Sequence, residues 1–261
     1  MNVLAAISPG LKVLIERVGK PEVINRPDFF RFGGAGAVIA CNHVGWADSL
    51  WLAYAVYPRQ LRYMSKQELF ASTLSRWVLE HGGSVSIDRA DPSPSSIKTA
   101  VDILQQGEII LIFPSGTRNE EIVAFKRGAA TIALHARVPL VPAFFQGPSR
   151  IQTAHLLHRP SIQVTFGSPI PTLGLPRGKA TTINLTRQLQ AAIGELRSAA
   201  NIKLLAAKIF GVSAFDQKRY IRIHQLMSVL SGKRTSRKQA AMSWPHVRFR
   251  GGTPAHADGP C

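Results

Sequence analysis

The segment Asn42-His43-Val44-Gly45-Trp46-Ala47-Asp48 holds a histidine and an aspartate five residues apart. On a regular helix that spacing turns two side chains about 140° away from each other. Across a loop joining a strand to a helix, the carboxylate can accept from one imidazole N–H and leave the other ring nitrogen as a base. The same residues also fit a structural His beside a helix-capping Asp. A second cluster is Phe113-Pro114-Ser115-Gly116-Thr117-Arg118. Here an apolar run enters a tight Gly turn carrying backbone N–H groups, a hydroxyl and a guanidinium, a combination that suits a phosphate. An ordinary turn with a solvated Arg accounts for it equally well. The third candidate, Ile87-Asp88-Arg89, ends a short strand with a polar pair that on its own reads as a surface ion pair.

Several other chemistries are excluded by pattern. The chain has no G-x-x-x-x-G-K-[ST] loop for phosphates, no H-E-x-x-H, and no paired Cys-x-x-Cys for zinc. Ser115 stands where a nucleophile elbow would place its serine, but that motif needs Gly at 113, where Phe stands. The glycines Gly33, Gly34 and Gly36 precede an apolar run, whereas a dinucleotide fingerprint needs them after the strand.

The elements that must position these groups alternate between strand and helix patterns. Ala37 to Cys41 and Ile109 to Phe113 are short apolar runs of the kind found in buried strands, and Ser84 to Ile87 reads as another short strand, led in by Gly82-Gly83. Asp48 can cap a helix from Ser49 to about Val56, and Pro94 opens another that Gly107 ends. Gly128 to Arg137 has a helical pattern, as does the stretch around Leu185, Leu189, Ile193 and Leu196. Val138 to Phe145 is strand-like, with Pro139 and Pro142 predicting irregular or edge character. Ile162, Val164 and Phe166 alternate, predicting a half-buried strand. Ser8-Pro9 begins an amphipathic helix through Leu11, Leu14, Ile15 and Val18, whose apolar stripe suits either a lipid surface or its own core, the commoner use. The expected fold is α/β, a mixed, mostly parallel sheet flanked by helices, with this N-terminal amphipathic segment and a basic C-terminal extension.

The 261 residues include 45% hydrophobic and 18% charged side chains, which excludes a disordered chain and allows a substantial core. Lys and Arg number 32 against 15 Asp and Glu, a net +17, so the chain seeks phosphates in nucleic acid, anionic lipid or a phosphorylated substrate. Residues 202–261 carry eleven Lys and Arg against two acids. We therefore divide the chain into a domain of residues 1–201 and a basic extension of 202–261, whose last ten or so residues are expected to be disordered. Two cysteines far apart, Cys41 and Cys261, indicate a reduced compartment. No signal peptide is read, and no run approaches the ~20 apolar residues of a span, so membrane contact is expected to be peripheral.

Taken together and in order, the motifs resemble the glycerolipid acyltransferase family that includes 1-acylglycerol-3-phosphate acyltransferase. Asn42-His43 through Asp48 resembles its N-H-x4-D block, and Gly83 to Arg89 its G-x-x-F-I-D-R block, with Ser86 where Phe is usual. Phe113 to Arg118 is similar to F-P-E-G-T-R, and Val138-Pro139-Leu140-Val141-Pro142 to V-P-I-V-P. Phe166 to Ile170 fits the strand and turn that follow in many members. The resemblance spans about residues 35–200.

The resemblance implies transfer of a fatty acyl group from acyl-CoA or acyl carrier protein to the hydroxyl of a lysophospholipid, foremost 1-acylglycerol-3-phosphate giving phosphatidate. His43 would be the general base and Asp48 its orienting partner. Asn42, Arg89, Ser115, Gly116, Thr117 and Arg118 would bind substrate, with the phosphate held by Arg89 and the 116–118 group, and Val138 and Pro139, in the stretch to Pro142, would shape the acyl or acceptor pocket. No cofactor and no metal are implied. The expected location is the cytoplasmic face of an anionic membrane. One departure bears on the acceptor: Ser115 stands where the family usually has Glu. Losing that charge leaves another lysolipid, such as a lyso-amino-lipid, open, and equally a catalytically weak, acyltransferase-like binding protein. A thioesterase or hydrolase using the same His–Asp pair is a further alternative. A nucleic-acid-binding protein would also explain the charge, but none of its recognition motifs is present.

Overall fold

The computed structural model describes residues 13, 15–19, 21–28, 30, 34–66, 84–87, 94–116, 125–156 and 160–210. In chain order the named elements are β1 (Glu22–Ile24), β2 (Ala37–Cys41), α1 (Asp48–Val56), β3 (Leu61–Lys66), β4 (Ser84–Ile87), α2 (Pro94–Gln105), β5 (Ile109–Ile112), α3 (Gly128–Ala136), β6 (Leu140–Gln146), β7 (Gln163–Phe166) and α4 (Lys179–Phe210). A 3-10 turn spans Thr153–Leu156. The strands form one seven-stranded sheet in the order β1-β7-β6-β2-β5-β3-β4. Every neighbouring pair is parallel except β6 with β7. The expected mixed, mostly parallel sheet with flanking helices is therefore present.

β2 lies at the centre, and all five of its residues are buried. Helices cover both faces of the sheet there, which is why its sequence is an unbroken apolar run rather than an alternation. Ile39 and Cys41 pack with Trp51, Leu52 and Val56 of α1. Val38 and Ala40 pack on the opposite face with Leu104 of α2, Ala129 and Ala133 of α3 and Leu189 of α4. Each fully buried leucine in these layers contributes about 1.5–3 kcal/mol.

The placement of the helices follows from the strand order. The β2-to-β3 crossover moves across the sheet in one direction, and the β4-to-β5 and β5-to-β6 crossovers move in the other. Parallel crossovers are right-handed, so opposite directions put their helices on opposite faces. Adjacent strands β2 and β5 thus send their following chains to different faces. The carboxyl ends of such a pair open a crevice, where open α/β sheets bind ligands.

Three local expectations need correction. β6 is a regular interior strand rather than an edge. The Pro142 carbonyl accepts from Gly167 N at 2.8 Å, so the proline nitrogen faces the side where pairing with β7 stops at Ala143–Phe166, and no ladder bond is lost. β7 is buried along all four residues rather than half-buried. Its polar face is satisfied in part by a Gln163 Nε2 donation to Glu22 Oε2 at 2.8 Å. Asp48 is the first residue of α1 and does not cap it; Ala47 holds the cap position without a side-chain bond. The described part of the N-terminal helix packs on its own core through Ile15 and Val18, each 5% exposed. Its start at Ser8-Pro9 lies outside the described residues. Strands β1 and β3 had no counterpart in the sequence reading. α4 runs unbroken through Asn201, where the composition changes. Among the described residues no helix is long and apolar enough to cross a membrane.

Candidate active site

The segment Asn42–Ala47 leaves the carboxyl end of β2 and enters α1, and it brings His43 and Asp48 together. His43 Nδ1 lies 2.8 Å from Asp48 Oδ2. The same oxygen accepts Val44 N at 2.9 Å and Gly45 N at 3.1 Å. An oxygen already taking two N–H donations acts as an acceptor towards the ring as well. This fixes the imidazole tautomer with the proton on Nδ1 and leaves Nε2 with a lone pair. Asp48 is fully buried and His43 is 9% exposed. Isolating a carboxylate this far from water costs several kcal/mol, and the three donors offset that cost.

The histidine ring is held from its flat side too. It stacks on Phe113, with centroids 4.0 Å apart and planes 15° apart. Phe113 directly follows β5, so this contact joins the carboxyl ends of β2 and β5 across the crevice. On the other side, Asn42 joins β2 to β6. Its Oδ1 accepts Phe145 N at 2.7 Å, and its Nδ2 donates to Phe145 O at 3.0 Å. The Cys41 thiol also points at Asn42 Oδ1, at 3.4 Å. The geometry gives Asn42 the task of positioning the His43 loop. Gly45 is required by close approach: a Cβ there would lie 1.9 Å from the Ser149 carbonyl oxygen. The next side chain, Trp46, is 50% exposed.

Ser115 and Gly116 follow β5 on the same edge. The turn closes with Gly116 N donating to Phe113 O at 3.1 Å, and Gly116 takes a φ of +69°, which a Cβ-bearing residue resists. Thr117, Arg118, Asp88 and Arg89 lie outside the described residues. Val138 and Pro139 lie away from the His43–Asp48 pair. They precede β6 at the opposite edge of the sheet, where Pro139 O accepts Val38 N at 3.1 Å. A strand's length of roughly 13 Å or more separates them from His43. Val138 O also accepts the Thr172 hydroxyl at 2.7 Å, and the task these contacts describe is to start β6.

The carboxylate is felt by its neighbours. Burial, and after it the Asp48 charge, pushes the Cys41 thiol well above its ordinary value. Burial followed by the same charge raises the Tyr63 phenol. Tyr63 donates to Ser49 O at 3.1 Å beneath the start of α1. Among the described residues no three His, Cys, Asp or Glu side chains come together as a metal would require. The arrangement can remove a proton at Nε2 and stabilise the resulting imidazolium from behind. The Asn42 clasp, the Gly45 contact and the Phe113 stack join residues far apart in sequence, and local patterning carried no sign of them.

A family model described as "Acyltransferase" matches residues 17–146. A 1-acyl-sn-glycerol-3-phosphate acyltransferase of Bacillus subtilis is 41% identical over 160 residues, 61% of this chain and 78% of the relative. The enzyme of the same name from Streptococcus pneumoniae is 36% identical over 134 residues, 51% of this chain and 49% of its own length. A lyso-ornithine lipid O-acyltransferase of Pseudomonas aeruginosa is 30% identical over 173 residues, 58% of this chain and 64% of the relative. The crystal structure of a 1-acyl-sn-glycerophosphate acyltransferase from Thermotoga maritima superposes with a TM-score of 0.53 at 18% identity, over 72% of this chain and 79% of that one. That likeness is one of fold.

Proposed function

This chain belongs to the acyltransferase family, and from that premise we propose that it moves a fatty acyl group from acyl-CoA or acyl carrier protein to the free hydroxyl of 1-acylglycerol-3-phosphate, giving phosphatidate. The observation that carries the reading is the buried His43–Asp48 pair at the β2–β5 crevice, with Nε2 left as a base. In the reaction, Nε2 takes the proton of the acceptor hydroxyl while its oxygen attacks the thioester carbonyl. The tetrahedral oxyanion then collapses and expels the thiolate, which recovers the proton from the imidazolium. General-base assistance of this kind accelerates transfer by ~10²–10⁴-fold. Asp48 holds the tautomer and the charge, and Asn42 and Phe113 hold the ring in place. Ser115 and Gly116, with Thr117, Arg118 and Arg89, bind the acceptor head group.

We take residues 1–201 as the acyltransferase domain and 202–261 as a basic extension that meets anionic lipid. Contact is peripheral and on the cytoplasmic face, where the thioester donors are. The net charge of +17 and the half-exposed Trp46 in the catalytic loop support a carboxyl edge turned towards the bilayer. A second acceptor class is favoured by Ser115 and by the lyso-ornithine lipid relative: a lyso-amino-lipid in place of the phosphate-bearing one.

The test is product analysis with palmitoyl-CoA, then palmitoyl-acyl carrier protein, on a panel of 1-acylglycerol-3-phosphate, other lysophospholipids and lyso-ornithine lipid, comparing wild type with His43→Ala. Phosphatidate made by wild type and lost in the folded variant is expected. Free fatty acid as the sole product would convert the reading to a hydrolase, and no turnover with either donor would overturn it.

A further inference from the structure

We infer that Lys126 is a further head-group ligand of this site, carried by the fold onto the Gly116 turn, where its ammonium selects an acceptor bearing a phosphate. The inference rests on the acyl-transfer reading above and deepens it. Ten residues separate Lys126 from Gly116 in sequence, yet the Lys126 N–H donates to Pro114 O at 2.9 Å. That bond and the Gly116-to-Phe113 bond pin residue 126 against the turn that follows β5.

The side chain then folds back over the turn. A Cβ built on Gly116 would lie 3.2 Å from Lys126 Cε and 3.3 Å from its Nζ. Lys126 is a solvent-exposed residue, and such lysines ordinarily spread over many rotamers. Here the stem rests on the bare Cα surface that the absent Gly116 side chain leaves, with the ammonium at the same surface. Among the described residues Lys126 has no ion pair, and Ser115 brings no charge to the turn. The cation therefore meets no described carboxylate at the place where the acceptor must sit.

The geometry of the acceptor fits that place. β2 and β5 are adjacent, and adjacent strands lie about 4.8 Å apart. In 1-acylglycerol-3-phosphate the free hydroxyl and the phosphate are on neighbouring carbons, a comparable separation. A hydroxyl at His43, beyond β2, puts the phosphate beyond β5, at the Gly116 turn. The Phe113 ring stacked on His43 shows the two strand ends meeting.

The experiment is steady-state kinetics of Lys126→Met, Lys126→Arg and Arg127→Met. Arg127 is the neighbouring exposed cation, at the cap position of α3. For Lys126→Met the expected result is about a tenfold rise in KM for 1-acylglycerol-3-phosphate, the usual size for losing one charge-assisted hydrogen bond. The kcat should stay within about twofold, and KM for the acyl donor should not move. Lys126→Arg should keep most of the affinity, and Arg127→Met should match wild type. With an uncharged 1-acylglycerol as acceptor, the Lys126→Met defect should vanish.

An unchanged acceptor KM would overturn the inference. So would a rise confined to the donor KM, or an equal effect of Arg127→Met, which would reduce Lys126 to bulk charge. These outcomes differ from failure of the acyl-transfer reading, in which wild type itself makes no acylated product.

Discussion

Replacing Asp48 by asparagine changes one atom and one charge in the most enclosed part of the site. Oδ2 accepts from His43 Nδ1, Val44 N and Gly45 N at 2.8, 2.9 and 3.1 Å. Oδ1 is buried without a hydrogen-bond partner among the described residues. An asparagine must put its NH2 group in one of these two places. At the Oδ2 position it would face three donors. At the Oδ1 position it would be a buried donor with no described acceptor, a defect of about 1–3 kcal/mol. The second arrangement is the milder, and for a domain of this size it lowers Tm by roughly 2–12 °C. It keeps the amide oxygen facing His43, so the ring retains its tautomer and the fold survives.

What Asp48→Asn cannot replace is the negative charge behind the imidazolium. We therefore expect kcat to fall by about 10²–10⁴, a barrier increase of roughly 3–5.5 kcal/mol, while acceptor KM changes little. Initial rates are read from thiol release by acyl-CoA, product identity by mass spectrometry, and folding by the near-ultraviolet circular dichroism of Trp51 and its neighbours. A variant that is folded and turns over within threefold of wild type would show that Asp48 serves packing alone, and the base mechanism would fall with it.

Gly45→Ala puts a methyl 1.9 Å from the Ser149 carbonyl oxygen, so it should displace the 42–48 loop, costing several-fold or more in kcat together with a lowered thermal midpoint; wild-type values for both would refute the close approach. On the alkaline side, Cys41 and Tyr54 are both raised, the phenol to about 12, by burial first and then by the Asp48 charge for the thiol and by Glu16 for the phenol. The folded state then holds protons that the unfolded chain releases. This stability is complete below the ordinary thiol range and drains away as pH rises through the raised values. Thermal midpoints should fall above about pH 9, and alkylation mapped to Cys41 should be negligible in the native protein and complete in denaturant. Trp46→Ala should weaken binding to phosphatidylglycerol vesicles several-fold without moving the melting temperature, whereas undiminished sedimentation with vesicles would remove this loop from the membrane contact.

The sequence carried the interior of the sheet well because β2 and β5 are buried on both faces, and continuous apolar runs of four or five residues have few other uses. The His43–Asp48 pair was legible for a different reason: its partners are five residues apart, so loop geometry alone brings them together. Strand β1 was not legible, since three residues, of which only Ile24 is buried, give no period to detect. β3 mixes Arg62 and Lys66 among its apolar residues and lies towards the sheet edge, so it shows no clean run. The contacts that set the site's precision were beyond local pattern altogether. Asn42 and Phe145 are 103 residues apart, and the Gly45–Ser149 approach is as distant. The Val138-Pro139 segment, which the resemblance gives to the acyl or acceptor pocket, starts β6 a strand's length from His43, a separation that only the pairing register reveals.

The long-range contacts explain how a loop can hold a catalytic pair in place. Loops are usually the mobile part of a domain. This one is fixed at three points by the three central strands: at its root by Asn42 on β6, at its middle by Gly45 against the segment beyond β6, and at the ring by Phe113 from β5. The Asp48 carboxylate, fully buried, then gathers two backbone N–H groups of that same loop. Folding has thus already met the cost of bringing a negative charge out of water, before any substrate arrives. In the proposed reaction, when the acceptor's proton reaches Nε2, the charge that stabilises the imidazolium is in place and no dipole has to reorient, the condition under which electrostatic stabilisation is most effective. The dyad's strength is therefore a property of β2 standing between β5 and β6. Substitutions at Asn42 or Gly45, which fix the loop through Phe145 and Ser149, should act on kcat through the placement of His43 rather than on the affinity for either substrate.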